Sequence, residues 1–337
     1  MTELPYSPWP AVIVAAGVSA AVQGLLDAAG NRLLLDHPTE RSLHDRPIAR
    51  VGGIAIAAGF LPVAILAPVP LANGPIFLAA WIAVIAVSVA DDRRHVRPMV
   101  RLGVHLVAAL AVAAAMFRPY GAGASWPEHA IAIVVAAVIF VGSANLFNFM
   151  DGSDGIAASM AICGFGAYGV AALLVGAPAD AYLALAAATV PFLVRNLPPA
   201  RTFMGDGGSV PFGFLASVFG LAGVRAGTWP EWFPLLVFLP FIADTLVTMA
   251  SRIARGENLF EPHKTHYYQR IHRMGAGHAG TLLFYGVLIA GTSVSAIFTL
   301  ATGPGAGWFV LGAWSLAIGV LFAGIDYHWR KGSPVQR

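Results

Sequence analysis

Residues 130–155 read AIAIVVAAVIFVGSANLFNFMDGSDG. From 130 to 147 no side chain is charged, close to the ~20 apolar residues that a helix needs to cross ~30 Å of bilayer hydrocarbon. The chain then turns polar: Asn145, Asn148, Asp151 and Asp154 recur every third residue. If the helix continues that far, this stride follows one slowly drifting face. Gly152 and Gly155 loosen the backbone there and let a ligand approach closely. Asn and Asp also cap helices and turns, but four at this stride exceed what a cap needs. The stretch predicts a membrane-spanning helix that ends in a polar site.

The rest of the chain repeats this arrangement. Its 337 residues are 58% hydrophobic and 11% charged, with mean hydropathy +0.72, which excludes an ordinary soluble globule. Apolar runs fall at roughly 11–30, 51–70, 75–90, 101–117, 130–147, 156–176, 180–195, 210–226, 232–252, 281–301 and 306–326. Backbone polar groups must be satisfied inside lipid, so these runs predict helices. The fold class is all-α: a polytopic membrane protein of about eleven spans in one domain, 1–337. Met1 to Pro10 carries no Lys or Arg, unlike the basic start of a cleaved signal peptide. The single cysteine, Cys163, excludes a disulfide framework within the chain.

Lys and Arg set the orientation. With the N-terminus outside, alternation puts all of the 20 Lys and Arg on the inside except Arg118 and Arg225. The N-terminus is therefore expected to be periplasmic and the C-terminus cytoplasmic. The outside connections are short, and the inside ones carry nearly all the polar chemistry.

Five polar clusters meet on that inner face. Asp91-Asp92 ends the third run; adjacent carboxylates stay ionised cheaply only with a cation between them, and hard oxygen ligands suit Mg²⁺. Asn145 to Gly155 is the second cluster. In Phe203-Met204-Gly205-Asp206-Gly207-Gly208-Ser209, the glycines and the helix start that follows offer N–H groups to phosphate, and Asp206 offers a carboxylate to a metal. Asp244 lies within the ninth run, where an acid is either a functional group or the buried partner of another helix. The loop 252–280 holds Pro262-His263-Lys264-Thr265-His266 and Arg270. Without an evident third zinc ligand, a phosphate clamp is the more natural use of those residues. Asp36-His37-Pro38 and Arg46 to Gly53, including Arg50, add guanidinium forks beside a glycine pair in the first inside loop.

In order and spacing these clusters resemble the polyprenyl-phosphate N-acetylhexosamine-1-phosphate transferases, a glycosyltransferase superfamily that includes the phospho-N-acetylmuramoyl-pentapeptide transferase. The matching stretches run from Arg41 to Arg270. Glu261 to Arg270 resembles the branch that starts O-antigen and related lipopolysaccharide or cell-envelope glycans, because the peptidoglycan branch has three consecutive histidines there. Ala49 and Gly207 depart from the usual pattern, where a proline and a larger residue are common; neither change removes a polar group.

The resemblance implies a bacterial inner-membrane enzyme. It transfers an N-acetylhexosamine-1-phosphate from a UDP-sugar to undecaprenyl phosphate and releases UMP, with Mg²⁺ as cofactor and Mn²⁺ as a substitute. It implies catalytic roles for Asp91, Asp92, Asp151, Asp154 and His263. Substrate binding would fall to Arg50, Asn145, Asn148, Phe203 (against the base), Lys264, His266 and Arg270, and the metal to Asp206 with Asp151. Asp91 has been assigned as a base in this family, but a phosphate monoester has a second pKa of ~6, so at neutral pH a base is hardly needed. Its role as base or positioner stays open, as does homodimer formation; no nucleic-acid partner is expected. Two other classes compete: a secondary transporter and a lipid-phosphate carrier. Transporters place sites near the midplane and often show paired halves, whereas here the acids sit at one surface. A carrier has no need of metal-type carboxylates.

Overall fold

The computed structural model describes residues 7–29, 34–36, 47–66, 74–117, 126–258, 261, 263–302 and 305–332. His37, Arg41, Arg46, Arg118 and Pro262, which the sequence reading singles out, lie outside these residues. The elements in order are α1 (Trp9–Ala28), β1 (Leu35–Asp36), β2 (Ile48–Ala49), α2 (Gly52–Leu66), α3 (Gly74–Arg94), α4 (Pro98–Met116), α5 (Trp126–Met150), α6 (Ile156–Leu174), α7 (Asp180–Asn196), α8 (Asp206–Arg225), α9 (Trp232–Val237), α10 (Leu239–Ala254), α11 (Tyr267–Ile271), a π-helical turn (His272–Ala276), α12 (Gly277–Thr299) and α13 (Ala306–Gly332). Each expected apolar run falls on helix among the described residues, the ninth on two helices. Among the described residues, eight segments are long and apolar enough to span a membrane: α1, α3, α4, α5, α6, α8, α11 with its π-helical turn and α12, and α13. The protein is an all-α, multi-pass membrane protein with one small antiparallel ribbon, Leu35 opposite Ala49 and Asp36 opposite Ile48.

The remaining runs are shorter. α2 has 15 residues and α7 has 17. The ninth run divides into α9 and α10 at Phe238. Pro240 lacks the N–H that would continue the helical ladder and sits in the first turn of α10, where that loss is tolerated.

α8 is the central helix and mostly buried, whereas α13 is mostly exposed at the periphery. It packs on α5, α3 and α2. Small residues permit the approach, as expected where helices associate by close packing in lipid. A Cβ on Gly213 would lie 2.1 Å from the Ser143 carbonyl oxygen of α5, and one on Gly53 of α2 would lie 2.4 Å from the Gly208 nitrogen. Around α8, Phe165, Tyr168, Tyr182, Phe212, Phe219 and Trp229 form an aromatic core, with Tyr168 stacked on Trp229 at 4.7 Å.

Two boundaries differ from the sequence reading, both at the polar clusters. α8 starts at Asp206, so the glycine cluster is its first turn, not a loop ahead of it. α5 stops at Met150, so Asp151 and Asp154 leave the helical face that carries Asn145 and Asn148. The following turn ends on Gly155 at φ +77°, a conformation that glycine adopts without penalty.

Candidate active site

The starts of α2, α4 and α8 and the ends of α3 and α5 meet at one face of the bundle. Asp92, at the end of α3, accepts the backbone N–H of Asp206 (3.2 Å) and of Gly207 (3.0 Å). A helix N-terminus attracts negative charge, and here the charge comes from the protein itself. The expectation that these N–H groups receive a phosphate is therefore corrected. The first N–H groups of α2 are filled likewise: Gly52 and Gly53 donate to the carbonyls of Phe203 and Met204 at 3.0 and 2.9 Å. Phe203 itself is half-buried. A Cβ on Gly207 would come within 2.6 Å of Val89 Cγ2, which accounts for a glycine there.

Two arginines bind the acids together. Arg50 reaches Asp36 at 2.7 Å and Asp92 at 3.4 Å. Arg101 pairs with Asp91 and lies 3.3 Å from Asp206 Oδ2. Asp91 also accepts the N–H of Val96 at 2.7 Å, closing the turn between α3 and α4. Asn148 donates to Asp206 Oδ1 and to Ser209 Oγ, both at 2.9 Å. Asn145 bonds back to the Val141 carbonyl of its own helix.

Among the described residues, no three His, Cys, Asp or Glu side chains converge closely enough to cage a metal by themselves. Mg²⁺ does not require such a cage: it is usually held by one or two carboxylates, waters and substrate phosphates. Asp206 and Asp151 fit that mode. The Asp206 side chain is 27% exposed. The half-buried Asp151 carboxyl is pushed well above the usual carboxylate range, first by burial and then by the nearby charge of Asp206. A cation would relieve that repulsion.

Asp154 lies deeper. It is buried, accepts the Ala200 N–H at 2.9 Å and sits 3.4 Å from His278. It fastens the α5–α6 turn to the loop after α7, where Asn196 accepts the Gly155 N–H and donates to the Thr202 carbonyl.

The histidine motif adjoins the end of α5. The His266 ring lies 6.0 Å from that of Phe149 and 4.9 Å from that of His263. Tyr268 donates to the Phe149 carbonyl, capping α5. Burial, followed by the charges of His266 and Arg252, holds the His263 imidazole down to about 4, so it is neutral at pH 7 and adds no positive charge. Lys264 is half-buried on the same loop. Arg270 is engaged internally: it donates to the Thr265 carbonyl at 2.7 Å, pairs with Asp326 of α13 and lies over the Tyr267 ring. These partners give it a bracing role where substrate contact was expected.

Two contributors, Arg101 and Arg252, escaped the sequence reading. Arg101 looks like an orientation charge at a helix start. Arg252 is buried and holds the loop through Glu257, Asn258 and Glu261. Asp244, read as either functional or a buried partner, is fully buried and accepts from His266, Tyr267, Tyr268, Thr248 and Tyr285.

Deeper in the bundle, a cavity of about 260 Å³ lies between α5, α8 and α9–α10. Its lining is almost wholly apolar and includes Leu146, Phe147, Leu221, Leu235 and Phe238. Its lining starts at Leu146 and Phe147, next to Asn148 in the chain, and runs along α8 from Gly213 to Val224, away from Asp206.

Acids and arginines gathered at one set of helix ends make a charged site on an otherwise apolar membrane bundle. Residues 75–224 match the family model described as Glycosyl transferase family 4. A glycosyltransferase-named protein of Streptomyces coelicolor is 32% identical over 81% of this chain and 67% of its own length. The decaprenyl-phosphate N-acetylglucosaminephosphotransferase of Mycobacterium leprae is 28% identical over 89% of this chain and 86% of its own. The undecaprenyl-phosphate alpha-N-acetylglucosaminyl 1-phosphate transferase of Escherichia coli is 25% identical over 80% and 76%. The chain belongs to glycosyl transferase family 4.

Proposed function

We propose that this protein transfers an N-acetylhexosamine-1-phosphate from a UDP-sugar to a polyprenyl phosphate, undecaprenyl phosphate in bacteria. The observation that carries the reading is the Asp92–Asp206–Arg50–Arg101 cluster at one set of helix ends, with an apolar cavity deeper along α5 and α8. An oxygen of the lipid phosphate attacks the sugar-linked phosphorus of the donor. The bond from that phosphorus to the bridging oxygen of UMP breaks, UMP leaves with the electron pair, and a lipid-linked sugar diphosphate remains. Phosphoryl transfer depends mainly on charge neutralisation and in-line positioning.

Asp206 and Asp151 hold Mg²⁺, which when bound neutralises phosphate charge. Arg50 and Arg101, already among the acids, lie ready to exchange carboxylate for phosphate oxygens. His266 and Lys264 complete the phosphate-binding side, and the half-buried Phe203 is placed to face the base. The prenyl chain lies along the Phe147–Phe238 cavity. Asp91, paired with Arg101, acts as a positioner. Asp92 and Asp154 shape the site from beneath.

The bundle works as one domain in the bacterial inner membrane, with eleven crossings, a periplasmic N-terminus and the site on the cytoplasmic side; the Lys and Arg asymmetry supports this. Glu261 to Arg270, without a triple histidine, favours the branch that starts O-antigen or a related envelope glycan. The transporter and carrier readings receive no support from the relatives, which are named as transferases. The test is a transfer assay in detergent with lipid phosphate and a panel of UDP-sugars, following UMP release. Turnover with a UDP-N-acetylhexosamine and little with UDP-glucose is expected. Efficient use of UDP-MurNAc-pentapeptide would overturn the branch, and no UMP release with any donor would overturn the reaction.

A further inference from the structure

We infer that Asp244 is a positioning residue for this transfer, acting through His266; the inference rests on the proposed reaction and on His266 meeting the substrate phosphates. Asp244 belongs to α10, 22 residues before His266, and its side chain is wholly buried. Oδ1 lies 3.0 Å from His266 Nδ1, 3.0 Å from the Tyr267 nitrogen and 3.2 Å from Thr248 Oγ1. Oδ2 accepts the Tyr268 N–H at 3.1 Å and the Tyr285 hydroxyl.

A carboxylate in apolar surroundings is retained only when donors surround it, and here five do. Two of them, Tyr267 and Tyr268, are the first N–H groups of α11, which have no intrahelical partner. Asp244 thus fixes where α11 begins and, in the same stroke, fixes the ring just ahead of it. An ionised carboxylate only accepts, so Nδ1 carries the proton and Nε2 is the nitrogen left for substrate. Partners of this kind behind a ligating or catalytic imidazole set its tautomer and ring direction. The Phe149 and His263 rings flank the same imidazole at 6.0 and 4.9 Å, limiting its rotation. Asp244 never touches the reacting atoms.

The test is a double-mutant cycle on purified full-length protein, assayed with radiolabelled donor so that small residual rates are measurable. Asp244→Asn keeps the shape, but its amide must turn N–H₂ toward one set of donors, so it releases α11 or reverses the His266 tautomer. The expected result is a kcat at least 100-fold lower, with the donor KM within threefold. In a His266→Asn background the same change should cost less than threefold more, because residues acting as a unit are strongly non-additive. Tyr285→Phe removes one donor from the same carboxylate without touching His266, and should lower thermal stability while keeping kcat within about threefold. If Asp244→Asn does not assemble, Asp244→Glu replaces it in the cycle. It keeps charge and acceptors but displaces the imidazole, and is expected to lower kcat in the wild-type background alone. Equal losses from Asp244 substitution with and without His266 would overturn the inference while leaving the proposed reaction standing. Near-wild-type turnover of His266→Asn would overturn both this inference and the assignment of His266 to the phosphates.

Discussion

The Asp92 carboxylate accepts the backbone N–H of Asp206 at 3.2 Å, joining acids that are 114 residues apart in the chain. The end of α3 is thereby bolted to the start of α8, and the proposed metal ligand Asp206 inherits its position from that contact. Asp92→Asn keeps one acceptor and loses the charge that complements the helix N-terminus. Losing a helix cap costs about 0.5–2 kcal/mol, so a lower thermal midpoint in detergent is expected. Turnover should fall by 100-fold or more because Asp206 shifts. A variant with wild-type turnover would show that the bolt does not matter to the site.

Asp206→Asn tests the metal. The change is nearly isosteric and leaves an acceptor for Asn148, so the bundle should assemble. Turnover should drop by orders of magnitude, and the stabilisation by added Mg²⁺ that is expected of the wild type should vanish. Undiminished Mg²⁺ stabilisation in the variant would remove Asp206 from the ligand set.

Asp91 separates base from positioner. A lipid phosphate with a second pKa of ~6 ionises without help above that value. If Asp91 were the base, Asp91→Asn would recover as pH rises. Its ion pair with Arg101 and its bond from Val96 favour positioning, so the deficit should be flat from pH 6 to 9. Recovery at the alkaline end would restore the base role.

His263 gives the acid side of the stability profile. Its folded value of about 4 lies below the ~6.5 of an unfolded histidine. Between those values the unfolded chain binds the extra proton, so this group's contribution to stability falls as pH drops from 6.5 toward 4 and is constant above. His263→Gln should flatten that part of the thermal-midpoint curve and leave the shape of the pH–rate profile above pH 6.5 unchanged. A shift in an activity limb near neutral pH would mean that His263 titrates there.

Close packing at α8 offers a test of the fold itself. Gly53→Ala would press a methyl group to 2.4 Å from the Gly208 nitrogen. Backbone cannot yield there, and overpacking costs about 1–3 kcal/mol or more. Gly103, which has no atom within 4 Å of a built Cβ, should accept alanine without loss. Equal yields of folded protein from the two variants would contradict the described α2–α8 crossing.

Much of this was legible in the chain. Apolar runs marked the helices because lipid leaves the backbone few other choices, and acids at their ends marked the site because a protein with so few charges must place them for a reason. What stayed hidden was pairing at long range. Arg101 read as an orientation charge because nothing local joins it to Asp206, 105 residues away. The N–H groups of α8 read as open because the acid that fills them comes from α3. Asp154 and Asp151 read as equivalent members of one stride, yet the turn at Gly155 sends Asp154 to Ala200 and leaves Asp151 among the site's acids. Arg270 read as a phosphate ligand because its partner, Asp326, belongs to the last helix.

The central claim is that the phosphate bonded to the sugar moves with it to the lipid. A UDP-N-acetylhexosamine labelled with ³²P in that phosphate, incubated with the purified protein, undecaprenyl phosphate and Mg²⁺, tests it directly. The account predicts that label enters the lipid fraction in step with release of unlabelled UMP, and that Asp206→Asn abolishes both. Label remaining in UDP while sugar reaches the lipid would contradict it, because the protein would then transfer the sugar alone.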